Sequence, residues 1–169
     1  HALELDPANV AALEFRGEIV RDQYGLAAAL PWFEAALAHD PDDLQTLGEY
    51  AATLGDLGRA HDMLAATRHM LELDGRNARA LYLQAMLAAR AGDNGLARSL
   101  LEKAGNQLAN VPGAMLLDGV LNLRTGSYRL AIEGLEKLVA RQPANSRASD
   151  LLAAAYYGAG NYREVVRRF

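Results

Sequence analysis

Four histidines, a set of aspartates and one glycine-rich tripeptide are the residues of this chain whose types could do chemistry. His1, His39, His61 and His69 would serve as bases or metal ligands, but no two stand four apart. That is the spacing at which one helix face offers two imidazoles to an ion, and no His-Glu-x-x-His occurs. His61 and His69 lie about two helical turns apart, too far to share one metal. Asp40, Asp42 and Asp43 resemble an acidic ligand cluster. Their place at a predicted helix start assigns them instead to capping free N–H groups and complementing the helix dipole. Gly158-Ala159-Gly160 begins like a dinucleotide loop, but it follows a predicted helix and lacks a third glycine. Ser127 has glycine on one side only and no strand before it, so it is no nucleophile elbow. Without cysteine there is no disulfide, thiolate metal site or sulfur nucleophile. The sequence predicts a non-catalytic chain with no metal and no cofactor.

What would position a functional surface is a repeat. Pro7, Pro41 and Pro143 fall on one series with a period of 34 residues, whose missing terms are Gly75 and Ala109. The surroundings recur too: Leu5-Asp6-Pro7-Ala8-Asn9, His39-Asp40-Pro41-Asp42-Asp43, Leu73-Asp74-Gly75-Arg76-Asn77 and Gln142-Pro143-Ala144-Asn145. A fixed period of this length is the mark of a stacked array of short structural units. The units run over 10–43, 44–77, 78–111, 112–145 and 146–169. Ala and Leu at helical spacing, with few β-branched residues, make each unit a pair of helices.

Within this frame Leu13, Gly17, Ala29, Phe33, Ala36 and Pro41 of the first unit match Met115, Gly119, Ala131, Leu135, Leu138 and Pro143 of the fourth. The third continues the pattern through Leu81, Ala85, Gly92-Asp93, Ala97, Leu101 and Ala104, with Pro112 opening the next helix. At these intervals the chain resembles the tetratricopeptide repeat family over essentially its whole length. The resemblance implies an all-α fold, a right-handed superhelical solenoid of antiparallel helix pairs. In the second unit, Leu47-Gly48 and Gly55-Asp56 look displaced by three residues toward the N-terminus. That predicts a short first helix, a long second one and a local irregularity. Residues 1–9 read as the end of a preceding repeat, with Ala2 as its small packing residue, and 146–169 as a truncated fifth. Neither end resembles a polar cap, so the expectation is a fragment of a longer repeat protein that associates end to end through its open faces.

The chain is 51% hydrophobic with no run of 18 apolar residues, which predicts no membrane insertion. Fifteen Arg against two Lys, with abundant Ala, suggests a GC-rich bacterial source, and both cytoplasm and periplasm stay open. The net charge of -4 hides an asymmetry: residues 1–77 hold 5 basic and 14 acidic side chains, residues 78–169 hold 12 basic and 7 acidic. Such a dipole would orient a charged partner before contact. The Arg residues form no stripe, which argues against nucleic acid.

The resemblance also implies where a partner would sit, because first helices of successive repeats line the concave face of such arrays. Carried over by position, the groove residues are Glu14, Glu18, Arg21 and Asp22, then Glu49 beside Gln45. Arg79, Tyr82, Met86 and Arg90 follow in the third unit, Leu116, Val120, Leu123 and Arg124 in the fourth, and Arg147, Asp150 and Tyr157 in the fifth. One subfamily grips a terminal carboxylate with Lys and Asn; Glu14 and Glu18 stand at those places and would repel it. The expected partner is a protein or peptide segment with basic residues near Glu14, Glu18 and Asp22 and apolar residues near Tyr82 and Met86. The alternative is a substrate-positioning region of a larger enzyme such as a bacterial glycosyl- or sulfotransferase.

Overall fold

In a computed structural model, residues 6–168 are described, and the readings placed on residues 1–5 lie outside them. Ten α-helices occur among the described residues: α1 Val10–Tyr24, α2 Leu26–His39, α3 Leu44–Asp56, α4 Ala60–Leu73, α5 Ala78–Arg90, α6 Asn94–Ala104, α7 Pro112–Arg124, α8 Tyr128–Arg141, α9 Ser146–Gly158 and α10 Tyr162–Arg168. No strand is present among them. The chain forms two compact units, one up to Leu87 and one from Ala88.

The recurring Asp-x-x-Asn motif is the corner between helix pairs. Asp6, Asp40 and Asp74 each accept the backbone N–H two residues on. Asn9, Asp43, Asn77 and Asn145 each accept the N–H three residues on, from Ala12, Thr46, Ala80 and Ala148. The first bond closes the turn, the second satisfies a donor that a helix start leaves free, and each N-cap contributes about 1 kcal/mol. The aspartates read as an acidic cluster are thus divided among separate tasks. Asp40 closes a turn, Asp43 caps α3, and Asp42 lies 2.8 Å from His69 Nε2.

Within a pair, glycine or alanine on one helix admits a large side chain from the other. A Cβ at Gly17 would stand 2.6 Å from the Phe33 ring, and one at Gly119 would stand 2.8 Å from Leu135. Phe33, Leu135 and Ala131 are fully buried; removing a phenyl side chain from water contributes roughly 1.5–3 kcal/mol. In the first unit Leu30, Ala51, Leu54, Met63, Ala66 and Leu83 form one cluster, and Leu47, Met70 and Ala80 a second. In the second unit Ala88, Ala89, Ala97 and Leu121 pack together, as do Ala131, Leu135, Leu152, Ala155 and Tyr156.

The irregularity expected at residues 44–77 is absent. Helices α3 and α4 have 13 and 14 residues, and α3, α5, α7 and α9 open at Leu44, Ala78, Pro112 and Ser146 in strict 34-residue steps. The turn is made by Gly58 with φ +76°, in register with Gly92, Gly126 and Gly160. Gly55 is not a displaced turn residue. A Cβ there would meet Met63 Sδ at 2.6 Å, so its missing side chain accommodates a methionine where Ala29, Ala97 and Ala131 stand in other pairs.

A departure from regularity lies at the next corner. Helix α6 has 11 residues, three fewer than α2, α4 or α8, and a 3₁₀ turn over Gly105–Leu108 replaces its last turn. Leu108 and Val111 stand where the corner aspartate and the cap would be, and neither can accept a hydrogen bond through its side chain.

Candidate partner-binding surface

The first helices of the first unit carry a polar network. On α1, Glu14, Glu18 and Arg21 recur at i, i+4 and i+7 and share one face, as do Arg79, Tyr82 and Met86 on α5. Between them α3 contributes Glu49, only 8% exposed. Arg21 Nη1 donates to Glu49 Oε2 at 2.7 Å, and Arg79 Nη2 donates to Glu49 Oε1 at 2.6 Å. One carboxylate therefore ties α1, α3 and α5 side by side. Thr53 completes the site, donating to the Glu49 carbonyl at 2.8 Å and accepting from Arg21 at 3.4 Å. Gly48 makes the bridge possible, since a Cβ there would stand 2.8 Å from the Arg79 side chain.

Burial pushes the Glu49 carboxyl up, but the hydrogen bonds and charges of Arg21 and Arg79 outweigh it and hold it below the ordinary value. Glu14 goes the other way: burial raises it, a hydrogen bond from Gln45 Nε2 at 3.4 Å opposes this, and Glu18, Glu49 and Asp43 add repulsion. Glu14, Glu18 and Glu49 each offer an oxygen within 4.8 Å of the others. Both oxygens of Glu49 are engaged by guanidinium groups, so the three carboxylates face two cations already in place. The net local charge is negative and rests on Glu14 and Glu18, with exposed Asp22 following on α1.

Arg21 and Arg79, placed by sequence among partner contacts, are thus spent on Glu49. Tyr82 and Met86 are half-buried and pack against the cluster around Leu54 and Met63, leaving part of each side chain outward. In the second unit Leu116 and Leu123 pack against the cluster around Leu135 and Leu152, so they belong largely to its core, and Val120 is half-buried. Arg124 Nη1 donates to the Ala89 carbonyl at 2.8 Å and to Asn94 Oδ1 at 3.1 Å, which makes it a tie between elements. Arg90, Arg147, Asp150 and Tyr157 are exposed; the Tyr157 ring meets Tyr162 edge-on at 5.2 Å. Sequence reasoning missed Thr53, the space made by Gly48, and the buried Asn122, which donates to Asp118 at 2.9 Å and accepts from Arg98 at 3.1 Å.

No family model and no curated protein matches the chain. Solved structures do. A tetratricopeptide repeat protein from Parabacteroides merdae superposes with a TM-score of 0.72 at 22% identity, over 98% of this chain and 66% of that one. The fold is that of the tetratricopeptide repeat proteins. PilF of Pseudomonas aeruginosa gives a TM-score of 0.79 at 19% identity over 96% of this chain and 73% of its own. YrrB, described as a tetratricopeptide repeat protein with an unusual peptide-binding site, gives 0.65 at 15% identity over 97% of this chain and 82% of its own. Antiparallel helix pairs of the tetratricopeptide type are therefore the architecture. No helix among the described residues is long and apolar enough to cross a membrane.

Proposed function

We propose that this chain is a protein-interaction scaffold whose first-helix face in the first unit receives a peptide or protein segment. The observation that carries the reading is the Arg21–Glu49–Arg79 bridge. It fixes α1, α3 and α5 as one surface and engages both arginines, whose remaining positive charge is outweighed by Glu14, Glu18 and Asp22. What that surface then offers is an acidic end at Glu14, Glu18 and Asp22 and an apolar end at Tyr82 and Met86. A segment with Lys or Arg toward one end and Leu, Met or an aromatic toward the other matches both. Rigid positioning favours binding because little side-chain entropy remains to be lost. The peptide-binding site named for YrrB supports the idea that such a fold takes a peptide.

A displayed peptide library selected on the chain, with a counter-screen on the Tyr82→Ala/Met86→Ala double variant, tests this. The expected result is a motif combining basic and apolar residues that loses binding to the variant. Enrichment that ignores the variant, or an acidic motif, would overturn the assignment.

A further inference from the structure

The second unit contains a cavity of about 340 Å³ at the corner between α6 and α7, where the capping residues of the repeat are missing. Its origin is legible position by position. Leu37, Leu71 and Val139 stand at equivalent places late in α2, α4 and α8, and each packs against a core cluster. The corresponding residue after α6 is Gly105, which has no side chain to put there. Across the space, α8 carries Gly134 where α2 and α4 carry Trp32 and Ala66. A Cβ built on Gly134 meets nothing within 4 Å. Glycine inside a helix is unfavourable relative to alanine, and here no close approach explains it. The absence of two side chains and the shortening of α6 together leave the space unfilled.

The walls are Leu101, Leu108 and Met115, and the charged groups are Glu102, Asp118 and Lys137. Lys137 Nζ is held by Glu133 at 3.2 Å. Asp118 accepts from Asn122 and lies 3.7 Å from Arg98. Glu102 is exposed, and its carboxylate has no hydrogen-bond or ion-pair partner among the described residues. The uncompensated charge at the cavity is therefore negative. Its volume falls at the lower end of the range of ligand pockets, enough for one or two apolar side chains. On α7 the cavity residues Ala114, Met115 and Asp118 lie on the face opposite Leu116, Val120 and Arg124, so this is not the first-helix surface assigned above.

We infer that this cavity is a second protein-binding site, which takes an apolar side chain of a partner segment with a Lys or Arg beside it reaching Glu102. The apolar group replaces the missing side chains of Gly105 and Gly134, and the cation supplies the charge that Glu102 lacks.

The test is an amide NMR titration of the whole chain with acetyl-Lys-Leu-Leu-Lys-amide and, in parallel, acetyl-Glu-Leu-Leu-Glu-amide. The basic peptide should move the amides of Leu101, Gly105, Leu108 and Gly134 saturably, and the acidic one should not. Gly134→Leu, which fills the space from within, should abolish those shifts while the remaining spectrum stays folded. Gly134→Ala should retain them, and Glu102→Lys should weaken them about fivefold. Charge reversal at Glu14 and Glu18 should leave them untouched, which separates this site from the first-helix surface. No saturable shift at these amides up to about 10 mM peptide, equal response to both peptides, or full binding by folded Gly134→Leu would each overturn the inference.

Discussion

Replacing Glu49 by Gln probes the bridge that defines the first-helix surface. The substitution keeps the shape of the side chain but removes its charge, and it sets an amide donor against one of two guanidinium groups. Two charge-assisted hydrogen bonds, at 2.7 and 2.6 Å, are weakened or lost. The Arg21 and Arg79 side chains retain 25% and 34% exposure, so water recovers part of their solvation. A fully buried pair broken in this way costs about 3–5 kcal/mol; discounted for that exposure, a loss of about 1–3 kcal/mol is expected. For a chain of this size each kcal/mol moves the melting temperature by about 2–4 °C. The pH dependence adds an independent signature. Because the folded Glu49 carboxyl is held below its ordinary value of 4.5, its stabilisation is present above that pH and lost as pH falls through the lower folded value. The wild type should therefore lose stability on acidification in that window more steeply than Glu49→Gln. Melting followed by circular dichroism from pH 3 to 7 reads both effects. Equal melting temperatures at pH 7, or parallel acid limbs, would refute the view of Glu49 as the tie between three helices.

Three further outcomes are expected. Ala131→Leu should overpack the fully buried contact between α7 and α8 and cost about 1–3 kcal/mol in denaturant unfolding; an unchanged midpoint would place Ala131 outside the core. The hydrogen bond with Asp42 raises the His69 pKa, burial opposes it, and Glu72 adds to the rise. The contribution of His69 to stability is thus full below its ordinary value of 6.5 and lost as pH rises through the higher folded value, so His69→Gln should flatten the melting temperature between those limits. Because Glu14 is raised by burial and by Glu18, Glu49 and Asp43, Glu14→Gln should stabilise the chain slightly at neutral pH, read by the same melting assay.

The helix pairs were legible because their determinants are local and recur. Asn9, Asp43, Asn77 and Asn145 cap helices 34 residues apart or a multiple of it, and Gly17 and Gly119 admit Phe33 and Leu135 at the same offset. Gly55 misled because it has the company of a turn, Gly-Asp, while its cause is a tertiary one, the sulfur of Met63. The Glu49 bridge was only half legible. Its three residues could be placed on first helices, but that one carboxylate would absorb both arginines depends on separations of 28 and 30 residues in sequence and on the room at Gly48. Likewise Leu116 and Leu123 have the periodicity of a surface strip and of a core seam alike, and only α9 packed nearby decides between them. The broken corner at Leu108 and Val111 was visible as a missing proline; the space it leaves depends on Gly134, a residue on a different helix.

The central claim is that the first-helix surface of the first unit selects a partner by the negative charge left on Glu14 and Glu18. Titration calorimetry with the best peptide from the selection, on the wild type and on Glu14→Lys/Glu18→Lys, measures that directly. The account predicts affinity at least about tenfold weaker for the variant, with a smaller dependence on salt. Equal affinity and equal salt dependence would contradict it.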